Sequence, residues 1–416
     1  MKKIKHKGLV IFILGLLSAI GPLSIDMYLP AFGDIAEGLG TSKHVIGYSF
    51  SSYFVGVSVG QLMYGPLLDR FGRKPVIYVG LLIYIISSII CVYAKTPEQF
   101  IGMRLSQAVG GCVGMVGSRA IIRDLFPIDD IAKVFSYLML VIAISPILAP
   151  TFGGFLTSYI GWQSIFIILA VFGTFSFVGL YVFVPHGNPP DTELSLKPKP
   201  ILRKFINVSK VPKFHTYALV SAISSSGLYV YIAASPTVFF DVFQVSKKQY
   251  GFIFAIIALG MIMANQANTI LLKKYRSEHI TIANLFIQIG IALLLVIGTY
   301  WNLLDLYMTI ALLSIFTATQ GFIYPNTSAL SIQPFSRSAG TASALMGSVQ
   351  LGIGALSTAL VSTFITISAL PMAVAILICA LISTGLLFSL QKSDKYKFVT
   401  TARLNKEQYI KKIRKE

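Results

Sequence analysis

Twelve long apolar stretches dominate this sequence. They run approximately over residues 9–31, 45–68, 75–94, 98–122, 134–158, 162–184, 215–240, 248–272, 279–300, 305–331, 338–366 and 369–391. About 20 apolar residues in a helix are needed to cross the hydrocarbon core of a bilayer. The predicted fold class is therefore all-α, a polytopic membrane protein of twelve transmembrane helices. Only 12% of its residues are charged and 55% are hydrophobic, whereas a soluble domain carries about 25% charged residues.

The net charge of +18 would suit a nucleic-acid binder if the basic residues lay on one surface. They lie instead in short segments between apolar runs and in the two tails, so no nucleic-acid partner is expected and the lipid bilayer is. With the N-terminus in the cytoplasm, 29 of the 34 Lys and Arg residues fall on the inside, four fall outside, and Arg104 lies within a span. That asymmetry predicts both termini inside. The basic N-terminus followed by an apolar run resembles a signal peptide. The run is too long and contains Asp26, so it reads as an uncleaved first span.

The connection 185–214 carries Pro185, Pro189, Pro190, Pro198, Pro200 and Pro212, with charges and no apolar period. It divides the chain into bundles of six spans, residues 1–184 and 215–391, followed by a basic tail, 392–416. An even split suits repeat-built transporters, with a site near the midplane between the halves. Cys91, Cys112 and Cys379 all lie in apolar segments without metal or disulfide spacing, and the five histidines are scattered near segment ends. No metal, cofactor or disulfide framework is expected.

Asp26 stands within the first apolar run, in Ser24-Ile25-Asp26-Met27-Tyr28-Leu29-Pro30. A carboxylate in hydrocarbon is costly and usually faces a bundle interior or a wet cavity. Spans 7 to 12 hold no Asp, Glu, Lys or Arg well inside, so Asp26 is the candidate proton carrier. At about 1.5 Å per residue, Asp26 falls roughly 8 Å and Arg104 roughly 9 Å from the outer ends of their spans. The two are level, and a guanidinium and a carboxylate at one depth can neutralise each other. Both would move toward the midplane if span 1 continued as an exposed outer turn through Phe32 to Glu37.

Between spans 2 and 3 stands Gly65-Pro66-Leu67-Leu68-Asp69-Arg70-Phe71-Gly72-Arg73-Lys74. By residue type this is a rigid charged turn, its glycines permitting close approach and a tight reversal. It resembles the G-x-L-x-D-R-x-G-R-K signature of the major facilitator superfamily. Arg104-Leu105-Ser106-Gln107 is similar to that family's R-x-x-Q-G pattern, with Ala108 in place of the glycine. Pro146 and Ala149-Pro150-Thr151-Phe152-Gly153-Gly154 resemble its antiporter motif, with Ala149 replacing the first glycine.

Asp26-Met27-Tyr28-Leu29-Pro30, Arg123-Asp124-Leu125-Phe126-Pro127, Ala233-Ala234-Ser235-Pro236 and Tyr324-Pro325-Asn326 narrow the likeness. So does Gly340-Thr341-Ala342-Ser343-Ala344-Leu345. Together they resemble the bicyclomycin/chloramphenicol-resistance drug:proton antiporters. The resemblance implies two six-helix bundles, a monomer in the bacterial inner membrane, a small-molecule substrate and exchanged protons. It implies proton and substrate coupling through Asp26 and Arg104. It also implies a conformational latch of Gly65, Asp69, Arg70, Gly72, Arg73, Arg123 and Asp124 that stabilises the outward-facing state.

Candidate substrate contacts are Tyr28, Gln107, Tyr229, Tyr231, Tyr324, Asn326 and Gln350. Pro146, Pro150, Gly153 and Gly154 are expected to allow bending and close packing in span 5. Amides in spans also serve as interhelical hydrogen-bonding groups, and aromatics as packing. The expectation is a proton-coupled exporter of small hydrophobic or amphipathic compounds. An exporter of an endogenous metabolite such as a siderophore, or a non-transporting receptor, are the alternatives. With no nucleophile–base pair in view, an enzyme is not expected.

Overall fold

A computed structural model describes residues 7–335, 338–364 and 368–390, without the side chains of residues 128, 129 and 132. The basic tail 392–416 lies outside the described residues. The helices are α1 (Lys7–Asp26), α2 (Phe32–Gly38), α3 (Lys43–Phe71), α4 (Arg73–Val92), α5 (Pro97–Leu125), α6 (Ile128–Tyr159) and α7 (Gln163–Phe183). After the linker follow α8 (Pro198–Ser209), α9 (Pro212–Pro236), α10 (Lys247–Leu271), α11 (Ser277–Tyr300), α12 (Leu306–Ile332), α13 (Ala339–Thr363) and α14 (Leu370–Leu390).

Local sequence accounts for the boundaries. Ser42 caps α3 by accepting from the Val45 amide, and Thr96 caps α5 just before Pro97. Ser246 and Gln249 form a reciprocal capping box on α10, and Asp305 caps α12. Each cap satisfies an amide that the first helical turn leaves unbonded. Helix α1 stops at Asp26 for a different reason. Pro30 lies four residues on, where its ring would clash with the Asp26 carbonyl in a continuing helix. The chain passes through a 3-10 turn at Leu29–Ala31 and resumes as α2.

Among the described residues, eleven helical runs are long and apolar enough to cross a membrane, α1 to α2 counting as one run, Lys7–Gly38. The 29-residue α3 is the twelfth of membrane length, but it is too polar to qualify by composition. Its polar residues face protein. Ser51 bonds Thr358 of α13 at 2.9 Å, Ser58 bonds Ser348 of α13 at 3.1 Å, and Ser52 donates to the Ile101 carbonyl of α5 at 3.1 Å. Outward apolar side chains such as Val79, Ile86, Val171, Phe175 and Val178 are exposed, as lipid-facing positions must be.

The first half packs α5 against α3, α4 and α1, and α1 against α6 and α7. The second packs α12 against α9, α10 and α11. Two seams join the halves, α3 on α13 and α6 on α10. The linker contradicts the reading that it lacks an apolar period. Ile201, Phe205 and Val208 repeat at helical spacing on α8, and Val208 is buried against the second half near Phe214 and Met346.

Candidate functional site

The polar interior of the first half centres on Arg104, whose side chain is fully buried on α5. Its Nη1 donates to Gln107 Oε1 and its Nη2 to the Ser24 carbonyl at 2.9 Å. The guanidinium lies 4.3 Å from the Tyr28 ring centroid and 4.4 Å from that of Tyr53. Gln107 is held in turn by Ser88 at 2.7 Å, and Ser24 Oγ bonds Tyr84 Oη at 2.7 Å.

Asp26 is only 5% exposed, yet its carboxylate has no hydrogen bond or ion pair among the described residues. The anticipated pairing with Arg104 is not formed; the guanidinium lies among two rings, an amide and a carbonyl, and its Nε has no hydrogen-bond partner among the described residues. Span 1 does run on through Phe32 to Gly38, as a helix that buries Phe32, Ile35 and Ala36 and exposes Glu37 and Gly38 rather than as an exposed turn throughout. Asp26 therefore lies deeper than its apolar run suggested. Tyr231 of α9 and Tyr250 of α10, both from the other half, lie within its electrostatic range. On the α6 side, Gly153 fits against the Met27 carbonyl with no room for a side chain.

The ends of the molecule differ. Here the "loop end" is the one opposite the chain termini. At that end Lys43 pairs with Asp241 at 2.5 Å and Lys247 with Asp34 at 2.6 Å. Each pair joins one half to the other, and Lys248 adds a bond to Tyr159 Oη at 2.8 Å. A side chain at Gly154 would sit 2.7 Å from the Lys247 carbonyl, so α6 and α10 also meet closely there. At the termini end a cavity of about 470 Å³ opens, lined by residues including Leu62, Asp69, Arg123, Lys204, Phe205 and Thr341. Ion pairs pin the halves at one end, and at the other both halves line this cavity.

The charged turn between α3 and α4 borders that cavity. Arg73 bridges Asp69 at 2.5 Å and Asp124 at 2.8 Å. Asn188 of the linker donates to Asp124 at 3.0 Å, and the Asp191 amide donates to the Asp69 carbonyl at 2.9 Å. Gly72 has φ +87°, a conformation open to glycine at little cost. Gly65, expected at a close helix approach, borders open space instead. Arg123 faces the cavity and forms no ion pair among the described residues, while Arg70 bonds the Asp191 carbonyl at 3.5 Å. Pro146 and Pro150 lie inside the continuous α6.

The second half buries amides where the first buries charges. Gln350 donates to Ser225 Oγ at 2.9 Å, Ser225 to Gln320 at 3.5 Å, and Gln320 to Ser224 Oγ at 2.9 Å. Ser224 donates to Gln288 at 3.0 Å. The chain of bonds links α13, α9, α12 and α11. Asn326 donates to Asn268 of α10 at 2.7 Å.

With this geometry in view, comparison with known proteins decides the family. The family model for the Major Facilitator Superfamily matches residues 14–359. This chain belongs to the major facilitator superfamily. It is 29% identical over 383 residues to the bicyclomycin resistance protein homolog of Haemophilus influenzae, covering 92% of this chain and 96% of that protein. It is 31% identical over 374 residues to the multidrug resistance protein MdtL of Salmonella typhimurium, covering 88% and 91%. A bacterial homolog of the human lysosomal transporter Spinster has the same fold, with a TM-score of 0.71 at 16% identity and 94% and 98% coverage. The superfamily is one of transporters, not enzymes, and the resemblance read from the motifs stands.

The expected contact residues of this major facilitator are dispersed. Tyr28 and Gln107 surround Arg104. Tyr229 crosses to the first half, with its ring 4.7 Å from Phe54. Tyr231 is buried with no hydrogen-bond partner for its hydroxyl among the described residues, and Tyr324 is 47% exposed. Tyr53, Ser224, Ser225, Asp34 and Lys43 escaped the sequence reading as site residues. The Ser224–Ser226 run beside span amides was the one available signal. The others are defined only by partners far along the chain.

Proposed function

We propose that this chain is a proton-coupled antiporter that exports small hydrophobic or amphipathic compounds across the bacterial inner membrane by alternating access. It acts as a monomer with both termini in the cytoplasm. The observation that carries the reading is Asp26, a buried carboxylate with no hydrogen-bond or ion-pair partner among the described residues, set between the halves beneath the pinned end. The two relatives named for resistance support a drug-like substrate.

In this orientation the pinned end is external and the cavity opens inward. Outside, Asp26 takes a proton. A neutral acid is cheaper than an anion in a dry helix interface, so protonation favours the inward-facing arrangement described here. Inside, substrate arrival and proton release are coupled, and the bundles 1–184 and 215–391 rock to the outward state. The Asp69–Arg73–Asp124 cluster, with Arg70 and Arg123 beside it, is the latch of that second state. The close fit of Gly153 and Gly154 lets α6 hold α1 and α10 in the present one. Tyr229, Tyr231, Tyr324, Asn326 and Gln350 supply rings and hydrogen bonds to substrate.

The test is susceptibility of an efflux-deficient host to bicyclomycin, chloramphenicol and a panel of other amphipathic compounds. Wild type is expected to raise tolerance to some of them and Asp26→Asn to none. Equal tolerance with both would remove Asp26 from the coupling role.

A further inference from the structure

The linker carries charge of one sign around α8. Residues 197–213 include Lys197, Lys199, Arg203, Lys204, Lys210 and Lys213, and no Asp or Glu. None of the six forms an ion pair among the described residues. Lys213 donates to Gln333 Oε1 at 2.6 Å. At about 100° per residue, the side chains of α8 divide into two sides. On one side Ile201 and Phe205 line the termini-end cavity, and Val208 is buried near Phe214 and Met346. On the other, Leu202 and Ile206 are 59% and 41% exposed. Lys199, Arg203 and Lys210, all exposed, fall within about 100° of Leu202 on that second side. The apolar arc of α8 is thus wider than the part that the protein covers, and three cations flank the bare part.

The position of α8 follows from its connection. It ends at Ser209, and α9, which crosses the membrane, begins at Pro212. A gap of two residues spans only about 10 Å when fully extended. The helix is therefore held close to the membrane surface at which α9 enters. The chain's own tail, 392–416, is basic as well, so it does not complement this side, and a second copy of α8 would set cations against cations. An anionic bilayer surface matches both features. Its headgroups attract Lys and Arg, and its acyl boundary takes up Leu and Ile.

We propose that α8 is an interfacial helix that seats Leu202 and Ile206 in the acyl boundary of the leaflet at the termini end and binds anionic phospholipid headgroups through Lys199, Arg203 and Lys210. Ile201 and Phe205, on its other side, are thereby held as a wall of the cavity. This goes beyond the export reading and depends only on the membrane-spanning fold.

Spin-label accessibility on the full chain in lipid nanodiscs tests this. Cys91, Cys112 and Cys379 are buried, so the label goes to an introduced cysteine, and the unsubstituted chain gives the background. Nanodiscs of phosphatidylglycerol are compared with nanodiscs of phosphatidylcholine. Dissolved oxygen reports contact with lipid, and a neutral nickel chelate reports contact with water. In phosphatidylglycerol, labels on Leu202→Cys and Ile206→Cys are expected to be reached by oxygen and shielded from nickel. A label on Asn207→Cys, an exposed position, is expected to be reached by nickel. In phosphatidylcholine the nickel accessibility at position 202 should rise several-fold. Lys199→Gln, Arg203→Gln and Lys210→Gln together should abolish that difference between the lipids. If the triple variant fails to assemble, about 1 M KCl carries the same expectation with the native lysines and arginine in place, because it screens charges beyond about 3 Å. Equal shielding in both lipids, or a difference that survives the triple variant or the salt, overturns the headgroup binding. Free access of nickel to position 202 in phosphatidylglycerol overturns the seating in lipid. Exclusion of both reagents there reveals a covering of protein and overturns it as well.

Discussion

The two halves bury polar groups in different ways. The first half holds Asp26, Lys74 and Arg104, all at 5% exposure or less. The second holds Asn268, Asn284, Gln288, Gln320, Asn326 and Gln350 with a run of serines, and no buried charge among the described residues. A buried carboxylate such as Asp26 has two charge states that differ by several kcal/mol in their cost of burial, so it can respond to protons, whereas the guanidinium of Arg104 stays charged. An amide has one charge state and offers hydrogen bonds that are worth little net but define positions. Under the proposed function, this contrast corresponds to coupling in the first half and neutral recognition in the second.

The largest effect that sharpens this contrast comes from Arg104. Hydrogen bonds to a charged group contribute about 1.5–3 kcal/mol, so Arg104→Gln should lower export of a transported compound about tenfold or more. Arg104→Lys should not restore it, because an ammonium lacks the planar face and fork that fit between the Tyr28 and Tyr53 rings. Export assays in inverted vesicles decide this, and full activity of the Lys variant would break this description of the Arg104 site. An intermediate effect lies at the seam. Lys43→Asp sets two acids facing each other, and adding Asp241→Lys restores the pair. Partly exposed pairs are worth about 0.2–1 kcal/mol, so the single change should raise the open population at the loop end by a few-fold at most. Spin labels at Thr41 and Gln244 report the separation. A double variant as open as the single would show that these charges do not hold that end. The smallest effect belongs to the neutral half. Gln350→Leu removes one neutral hydrogen bond, worth about 1 kcal/mol. A few-fold rise in KM with unchanged proton release is expected, and loss of proton release would erase the contrast between the halves.

Much of the fold is legible in residue order. Apolar runs of membrane length mark the spans, and the prolines after span 6 mark the division. The charged turn, with Gly72 at its positive φ, marks the link between α3 and α4. Other features depend on tertiary contact. The polar face of α3 is explained only by α13 lying against it. Arg104 and Asp26 are level by count, which suggested a pair. The rings of Tyr28 and Tyr53 come from other elements, and a cation–ring contact leaves no spacing signal. Asp34, Lys43, Asp241 and Lys247 read as ordinary loop charges because each finds its partner some 200 residues away, as in Lys43 with Asp241 and Asp34 with Lys247. The helix α8 was hidden among prolines and lysines, although Ile201, Phe205 and Val208 carry its period.

The central claim is that Asp26 exchanges the proton that drives export. Its most direct test is proton release from purified, detergent-solubilised protein on addition of an exported compound, recorded with a pH indicator in weak buffer. Wild type is predicted to release protons in proportion to the bound compound, and Asp26→Asn, which still binds, to release none. Unchanged release from Asp26→Asn would contradict the account.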